Sequence, residues 1–123
     1  MANPNILNVS SIYGNTSYLI PSTTAATTWT ALTPSSNTVN KIDNIVASNV
    51  TASAVAVTVA INSAAAGAGT NYRLVYQVPV PVNASIVVVD KSTAFYLGEA
   101  QSIVVTVGTG SAIELTASYE AIT

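Results

Sequence analysis

The segment from Tyr72 to Leu97, YRLVYQVPVPVNASIVVVDKSTAFYL, constrains the fold most, because it sets two strand signals on either side of a double-proline crossing. Tyr72, Leu74, Tyr76 and Val78 alternate with Arg73, Val75 and Gln77, the period of two expected of a half-buried strand, which puts Tyr72 and Tyr76 on an inner face. Ile86 to Val89 is a β-branched run, apolar on both faces, and reads as a central strand. Pro79 and Pro81 each remove a backbone donor and fix φ. The stretch around them therefore belongs at a sheet edge or where the chain passes between sheets.

The rest of the chain continues in the same manner. Ile6 to Tyr13 reads as a first strand closed by a Gly14–Asn15 turn, with Tyr18 to Ile20 as a short return strand stopped by Pro21. Thr27 to Leu32 reads as a strand, and Pro34 to Asn37 as a loop. Val39 to Asn49 is apolar at Val39, Ile42, Ile45 and Val46, a spacing shared by a helix and a bulged strand; its β-branched residues and lack of strong helix formers favour the strand. Ala54 to Ile61 alternates cleanly, with Val55, Val57, Val59 and Ile61 inward and Ala54, Ala56, Thr58 and Ala60 outward. Asn62 to Asn71 reads as a flexible hairpin tip; it lacks the third glycine and the lysine of a phosphate-binding loop. Asp90 to Thr93 and Leu97 to Ala100 are turns, Ile103 to Val107 a strand, and Gly108 to Ser111 a hairpin loop. The last strand, Ala112 to Tyr119, turns Ile113, Leu115, Ala117 and Tyr119 inward. Turn signals about every 8 to 12 residues and no helix signal predict an all-β chain: one domain over residues 1–123, a single antiparallel β-sandwich of jelly-roll type with eight or nine short strands.

Charge is where composition enters. Charged residues make up 7% of the chain, against roughly 25% in an ordinary soluble domain. A monomer so finished exposes bare Ala, Val, Thr and Ser surface, and protein interfaces are depleted in charge, so self-association is expected. The flat Ala and Thr face of Ala54 to Ala60 is the expected contact, since natural sheets defend such surfaces with Lys or Glu. Lys41, Arg73 and Lys91 are scattered, which argues against nucleic-acid binding. The opening MANPNILNVSS has neither the basic residues of a secretion signal nor an anchor, and no apolar run approaches the roughly 20 residues of a spanning helix.

Catalysis finds no footing in the residues. There is no His and no Cys, and the carboxylates Asp43, Asp90, Glu99, Glu114 and Glu120 show neither an acid/base pair nor a metal-ligand spacing, so no catalytic, cofactor or metal residue is assigned. The sequons at Asn8, Asn15, Asn49 and Asn83 read as chance in a chain rich in Asn, Ser and Thr. Tyr72, Tyr76 and Tyr119 are expected in the core. Tyr13, Tyr18, Trp29 and Tyr96 are left for recognition.

The opening MANPNILNVSSIYGNTS, KIDNIVASNV, VAVTVAINSAAAGAGTNY, VPVPVNASIVVVDKSTAFYLGEAQSIVVT and the ending LTASYEAI together resemble small virion structural proteins of tailed bacteriophages, especially myoviruses of marine cyanobacteria. The resemblance covers nearly the whole chain and carries no catalytic motif. It implies a β-sandwich building block of a virion, a head decoration, neck or tail component assembled in the host cytoplasm, that acts by symmetric packing with copies of itself and with other virion proteins. The alternative it leaves open is a host-surface or glycan-binding module of a tail or fibre.

Overall fold

The computed structural model describes residues 7–123. Nine strands form two antiparallel sheets packed face to face: β1 (Ile12–Leu19), β2 (Thr27–Thr28), β3 (Val39–Asn49), β4 (Val55–Asn62), β5 (Asn71–Val80), β6 (Ser85–Val89), β7 (Phe95–Leu97), β8 (Ser102–Val107) and β9 (Ile113–Ile122). Sheet A runs β1-β9-β3-β6, with β7 also paired to β3, and sheet B runs β2-β8-β4-β5. The pairs nest: β4 with β5, β3 with β6, β2 with β8 and β1 with β9. That nesting is one long antiparallel strip folded across two sheets, which is the jelly-roll topology, with β7 as a short addition.

Between the sheets lie Trp29, Leu32, Ile42, Ile45, Val57, Ile103 and Leu115, among others, all essentially without solvent contact. Polar groups that enter this interior arrive with partners. Trp29 Nε1 donates to Ser17 Oγ at 3.0 Å and so ties β1 to the core. Asn40 Nδ2 donates to the Leu32 carbonyl at 2.9 Å. Asn49 Nδ2 donates to the carbonyls of Ser53 and Val80 at 2.7 and 3.0 Å. Among the described residues no buried side-chain N or O lacks a hydrogen bond, as a low-dielectric interior demands.

Several expectations hold. Val39–Asn49 is one strand, and the irregular spacing of its apolar residues has a cause: the β3–β9 register shifts between Ile42 and Asn44, a bulge that resets which face each side chain takes. Pro79 lies in β5, an edge strand, and the chain crosses from sheet B to sheet A at Pro81 to Ala84.

Other expectations are corrected. β1 runs straight through Gly14 and Asn15 in an unbroken register with β9; Gly67, not Gly14, is the glycine at positive φ. The start of the expected first strand, at Ile6, lies outside the described residues. The strand expected at Thr27–Leu32 stops at Thr28, and a 3₁₀ turn, Thr30–Leu32, carries Leu32 into the core. β6 is an edge strand rather than a central one, with Val87 61% exposed. A β-branched run reads alike in either place, because strand order is fixed by long-range pairing. Tyr72 and Tyr76 are outside the core at 64% and 60% exposure. Two register shifts against β4 put extra residues into β5, so Val75 and Val78 oppose the buried Val59 and Val57. Gly108–Ser111 links β8 in sheet B to β9 in sheet A, so it is a crossover and not a hairpin loop. The alternation of β4 fails at its end, where Ala60 is buried and Ile61 half-buried.

Candidate functional site

The carboxylates come first, because they would carry any acid/base chemistry. Asp90 caps the 3₁₀ turn Lys91–Thr93: its Oδ1 accepts from Ser92 N at 2.9 Å, Ser92 Oγ at 2.6 Å and Thr93 N at 3.1 Å, while Asp90 N donates to Thr93 Oγ1 at 3.0 Å. The Ser92 hydroxyl, the largest influence, outweighs the opposing desolvation together with the Ser92 and Thr93 backbone donors and the Thr93 hydroxyl, and holds this carboxyl below the usual carboxylate range. Glu99 Oε2 accepts from Asn37 N at 2.7 Å. Both are turn fasteners. Among the described residues no three His, Cys, Asp or Glu side chains gather where they could hold a metal.

The charges are unevenly placed. The β3–β9 register sets Lys41 opposite Glu120, and Lys41 Nζ lies 3.9 Å from both Glu120 Oε2 and Asp43 Oδ1. With Asn44, Lys91 and Ala94 they line a shallow cleft of about 450 Å³ on the outer side of sheet A. Tyr96 on β7 opposes Lys41 from the other side, so the aromatic ring and both charges share one row on one face. This row gathers residues far apart in sequence. Of the charges around Lys41, only Asp43, two residues along the same strand, could have been picked out beforehand.

Sheet B is finished otherwise. Its strands β2, β4, β5 and β8 carry one charged residue, Arg73, whose guanidinium stacks 5.2 Å from the Tyr76 ring centroid at the sheet's rim. Half of the outer face is covered by the β4–β5 connection. Asn62 holds that loop shut: its Nδ2 donates to the carbonyls of Gly67 and Gly69 at 3.3 and 3.2 Å, and its Oδ1 accepts from Ala64 N and Gly69 N at 2.9 Å. Ser102 Oγ and Thr28 Oγ1 donate to the Ala64 and Ala66 carbonyls at 2.6 and 3.4 Å, which lays the loop over the paired Ala60 and Val104 and buries both. The Asn62–Asn71 tip is thus a fastened cover rather than an open, flexible loop.

The other half is bare. A hollow of about 400 Å³ is lined by Ala56, Thr58, Gln77, Thr106, Val107 and Gly108. Its wall is a bulge: Gln77 sits at φ 48° and its N–H donates to Thr58 Oγ1 at 2.9 Å in place of a ladder acceptor. No charged group lines it.

The residues kept for recognition are scattered. Trp29 is buried in the core and takes no part. Tyr119 is half-buried, and its hydroxyl donates to the Ala31 carbonyl at 3.3 Å. Tyr13 and Tyr18 are exposed on β1; Tyr72, Tyr76 and Tyr96 are exposed on the opposite flank. Of the sequons, Asn49 is buried and hydrogen-bonded, which removes it as a glycan acceptor. Among the described residues no helix is long and apolar enough to cross a membrane. Comparison with family models, curated proteins and solved structures finds no match for this chain.

Proposed function

We propose that this chain is a structural subunit of a tailed-phage virion, a head decoration, neck or tail building block, that assembles in the host cytoplasm by packing its sheet faces against copies of itself and other virion proteins. It is a packing element and not an enzyme. The observation that carries the reading is the half-covered outer face of sheet B: the chain fastens its own loop over one half and leaves an uncharged hollow in the other. A sheet face of Ala and Thr with no charge near it is what an interface requires and what a solvated monomer surface avoids. The jelly-roll topology is compatible with this role, as viral capsid domains use it, although lectins do too.

The test is to replace Ala56 and Thr58 together by Lys. Each unpaired charge forced into an interface costs about 3–5 kcal/mol, so the sedimenting mass of the purified chain is expected to fall sharply while far-ultraviolet circular dichroism stays that of a β protein. Normal assembly by the double variant would remove the reading. A host-surface glycan module is the second reading, favoured by the row of Tyr96, Lys41 and Glu120 beside the sheet A cleft. Aromatic faces next to polar groups suit sugars. Loss of adsorption on Tyr96→Ala in particles that still assemble would move the assignment there.

A further inference from the structure

A sandwich has four sheet edges, each a row of unpaired backbone groups that natural proteins guard against pairing with another chain. Three of the four are guarded here. β2 is only Thr27–Thr28. β5 carries Pro79, Arg73 and two register shifts. The edge formed by β6 and β7 is interrupted by the 3₁₀ turn Lys91–Thr93, with exposed Asp90 and Lys91 on it. β1 is different. It is eight residues long, IYGNTSYL, with no Pro, no charge and no break in its register with β9, and Ile12, Tyr13 and Tyr18 stand exposed along it. Among the described residues no strand pairs with its outer edge.

We infer that β1 is the self-association edge: two copies pair through it antiparallel about a two-fold axis, with Asn15 opposite Asn15 of the second copy. The geometry sets this register. Ser11 and Thr123, which continue the β1–β9 ladder, exchange backbone hydrogen bonds at 3.3 and 3.0 Å. Backbone direction alternates along an antiparallel strand, so the odd-numbered residues of β1 turn their N–H and C=O to β9. The even-numbered residues Ile12, Gly14, Thr16 and Tyr18 turn theirs to the open edge. The even side chains also share the outer face of sheet A, since Tyr18 opposes Thr116 and Gly14 opposes Glu120. A two-fold axis perpendicular to the sheet keeps outer faces together, so even residues must oppose even ones.

Centring on Asn15 pairs all four edge-facing residues, Ile12 with Tyr18 and Gly14 with Thr16 in both directions; a centre at Gly14 or Thr16 leaves one of them unmatched. Side chains agree with that choice. Ile12 ends a row with the buried Ile122 and Val39, and Tyr18 ends a row with Thr116 and Val46. The Asn15 register joins these rows, setting an aromatic against a β-branched residue twice, a favourable cross-strand pair. A centre at Gly14 would instead bring the two Glu120 carboxylates into a single row. A second copy is therefore the occupant, because the edge complements itself in hydrogen bonds, in apolar rows and in charge.

This inference deepens the assembly reading and rests on it for the chain acting as several copies, but it uses another surface. The chain has no Cys, so a single introduced one reports cleanly. Across a non-hydrogen-bonded antiparallel pair the Cα atoms are about 4.5 Å apart, inside the roughly 4.4–6.8 Å range of disulfides. Asn15→Cys is expected to give a disulfide-linked dimer on mild oxidation, while Tyr13→Cys, exposed on the same strand but opposite Ser17 of the second copy, stays uncrosslinked. Thr16→Pro removes an N–H that the β1–β9 ladder does not use, so it is expected to keep the fold and lower the sedimenting mass at least twofold. Absence of the Asn15→Cys crosslink, an equally strong Tyr13→Cys crosslink, or an unchanged mass for folded Thr16→Pro would each overturn the pairing. The crosslink does not involve the sheet B face, so failure of the double-lysine test leaves it standing, and its own failure leaves that test unaffected.

Discussion

Sheet A carries Lys41, Asp43, Glu114 and Glu120 on its strands, whereas the strands of sheet B carry Arg73 alone. Both sheets are β-branched and apolar on the inside, and both contribute to one core. The contrast is thus confined to the outside, where folding places little demand on side-chain type. In a chain with 7% charged residues, putting half of them on one sheet leaves the other face nearly free of charge, and the loop of Asn62 to Asn71 covers part of it. On the assembly proposed above, charge would mark the face that meets water, and its absence the face that meets protein.

The largest expected effect attacks that contrast directly. Ala56→Lys with Thr58→Lys on sheet B should cut assembly back to no more than the β1-paired dimer, at about 3–5 kcal/mol for each buried unpaired charge. A lysine on sheet A away from β1, Ser85→Lys, should leave both assembly and stability within about 0.5 kcal/mol, because Ser85 is exposed and isolated surface substitutions rarely do more. Equal effects on the two faces, read by sedimentation and chemical denaturation, would erase the distinction.

Next in size is the cover over sheet B. Gly67 has φ 75°, and a Cβ there would meet Thr28 Oγ1 at 2.5 Å, so Gly67→Ala must both strain the backbone and push the loop off Val104. A loss of about 1–3 kcal/mol is expected, seen as a Tm lower by about 5 to 10 °C. Gly14 offers the control, since nothing lies within 4 Å of a Cβ placed on it. Gly14→Ala should leave Tm unchanged, and a Tm loss as large as that of Gly67→Ala would show that the cover is not what Gly67 serves.

How far these faces could be read beforehand depends on the range of the information. The nine-strand sandwich was legible because period-two alternation and turn residues are local, as in Val55, Val57 and Val59. The proline crossing was legible for the same reason: Pro79 and Pro81 forbid a central ladder wherever the rest of the chain goes. What failed was non-local. Whether Ile86–Val89 lay at the centre or the edge depended on which strand came beside β3. Bulges opposite Val57 to Ala60 undid the simple alternation of β5 and left Tyr72 and Tyr76 in solvent. The Lys41, Glu120 and Tyr96 row exists only through the register of three strands, and the open edge of β1 only because Gly14 and Asn15 do not turn.

Smaller again is the cost of unmaking the sheet A charge cluster. Lys41 is about 38% exposed and reaches its two carboxylates at 3.9 Å, so Lys41→Met should change stability by no more than about 0.5 to 1 kcal/mol, and added salt should shrink even that. Solubility should fall instead, because a methionine brings the face of sheet A closer in character to that of sheet B. A large stability loss in denaturant titration, unaffected by salt, would give these charges a structural role that the contrast between the faces denies them.

The smallest effect is confined to acid. Asp90 is fully exposed, and the hydrogen bonds from Ser92 and Thr93 that depress its pKa compete with water. A carboxyl whose folded value lies below its unfolded one stabilises the fold at pH above the unfolded value, and that contribution disappears as pH falls through the folded value. Wild type should therefore lose stability through the lower carboxylate range more steeply than Asp90→Asn, with the two curves meeting in stronger acid. The turn that Asp90 caps is also what interrupts the β6 and β7 edge. Loosening it by acid should leave that edge as open as β1, and aggregation should begin in the same pH interval. Stability curves of wild type and Asp90→Asn that run parallel down to strong acid would show that the cap does not hold the turn, and the guard on that edge would have to be assigned to Lys91 alone.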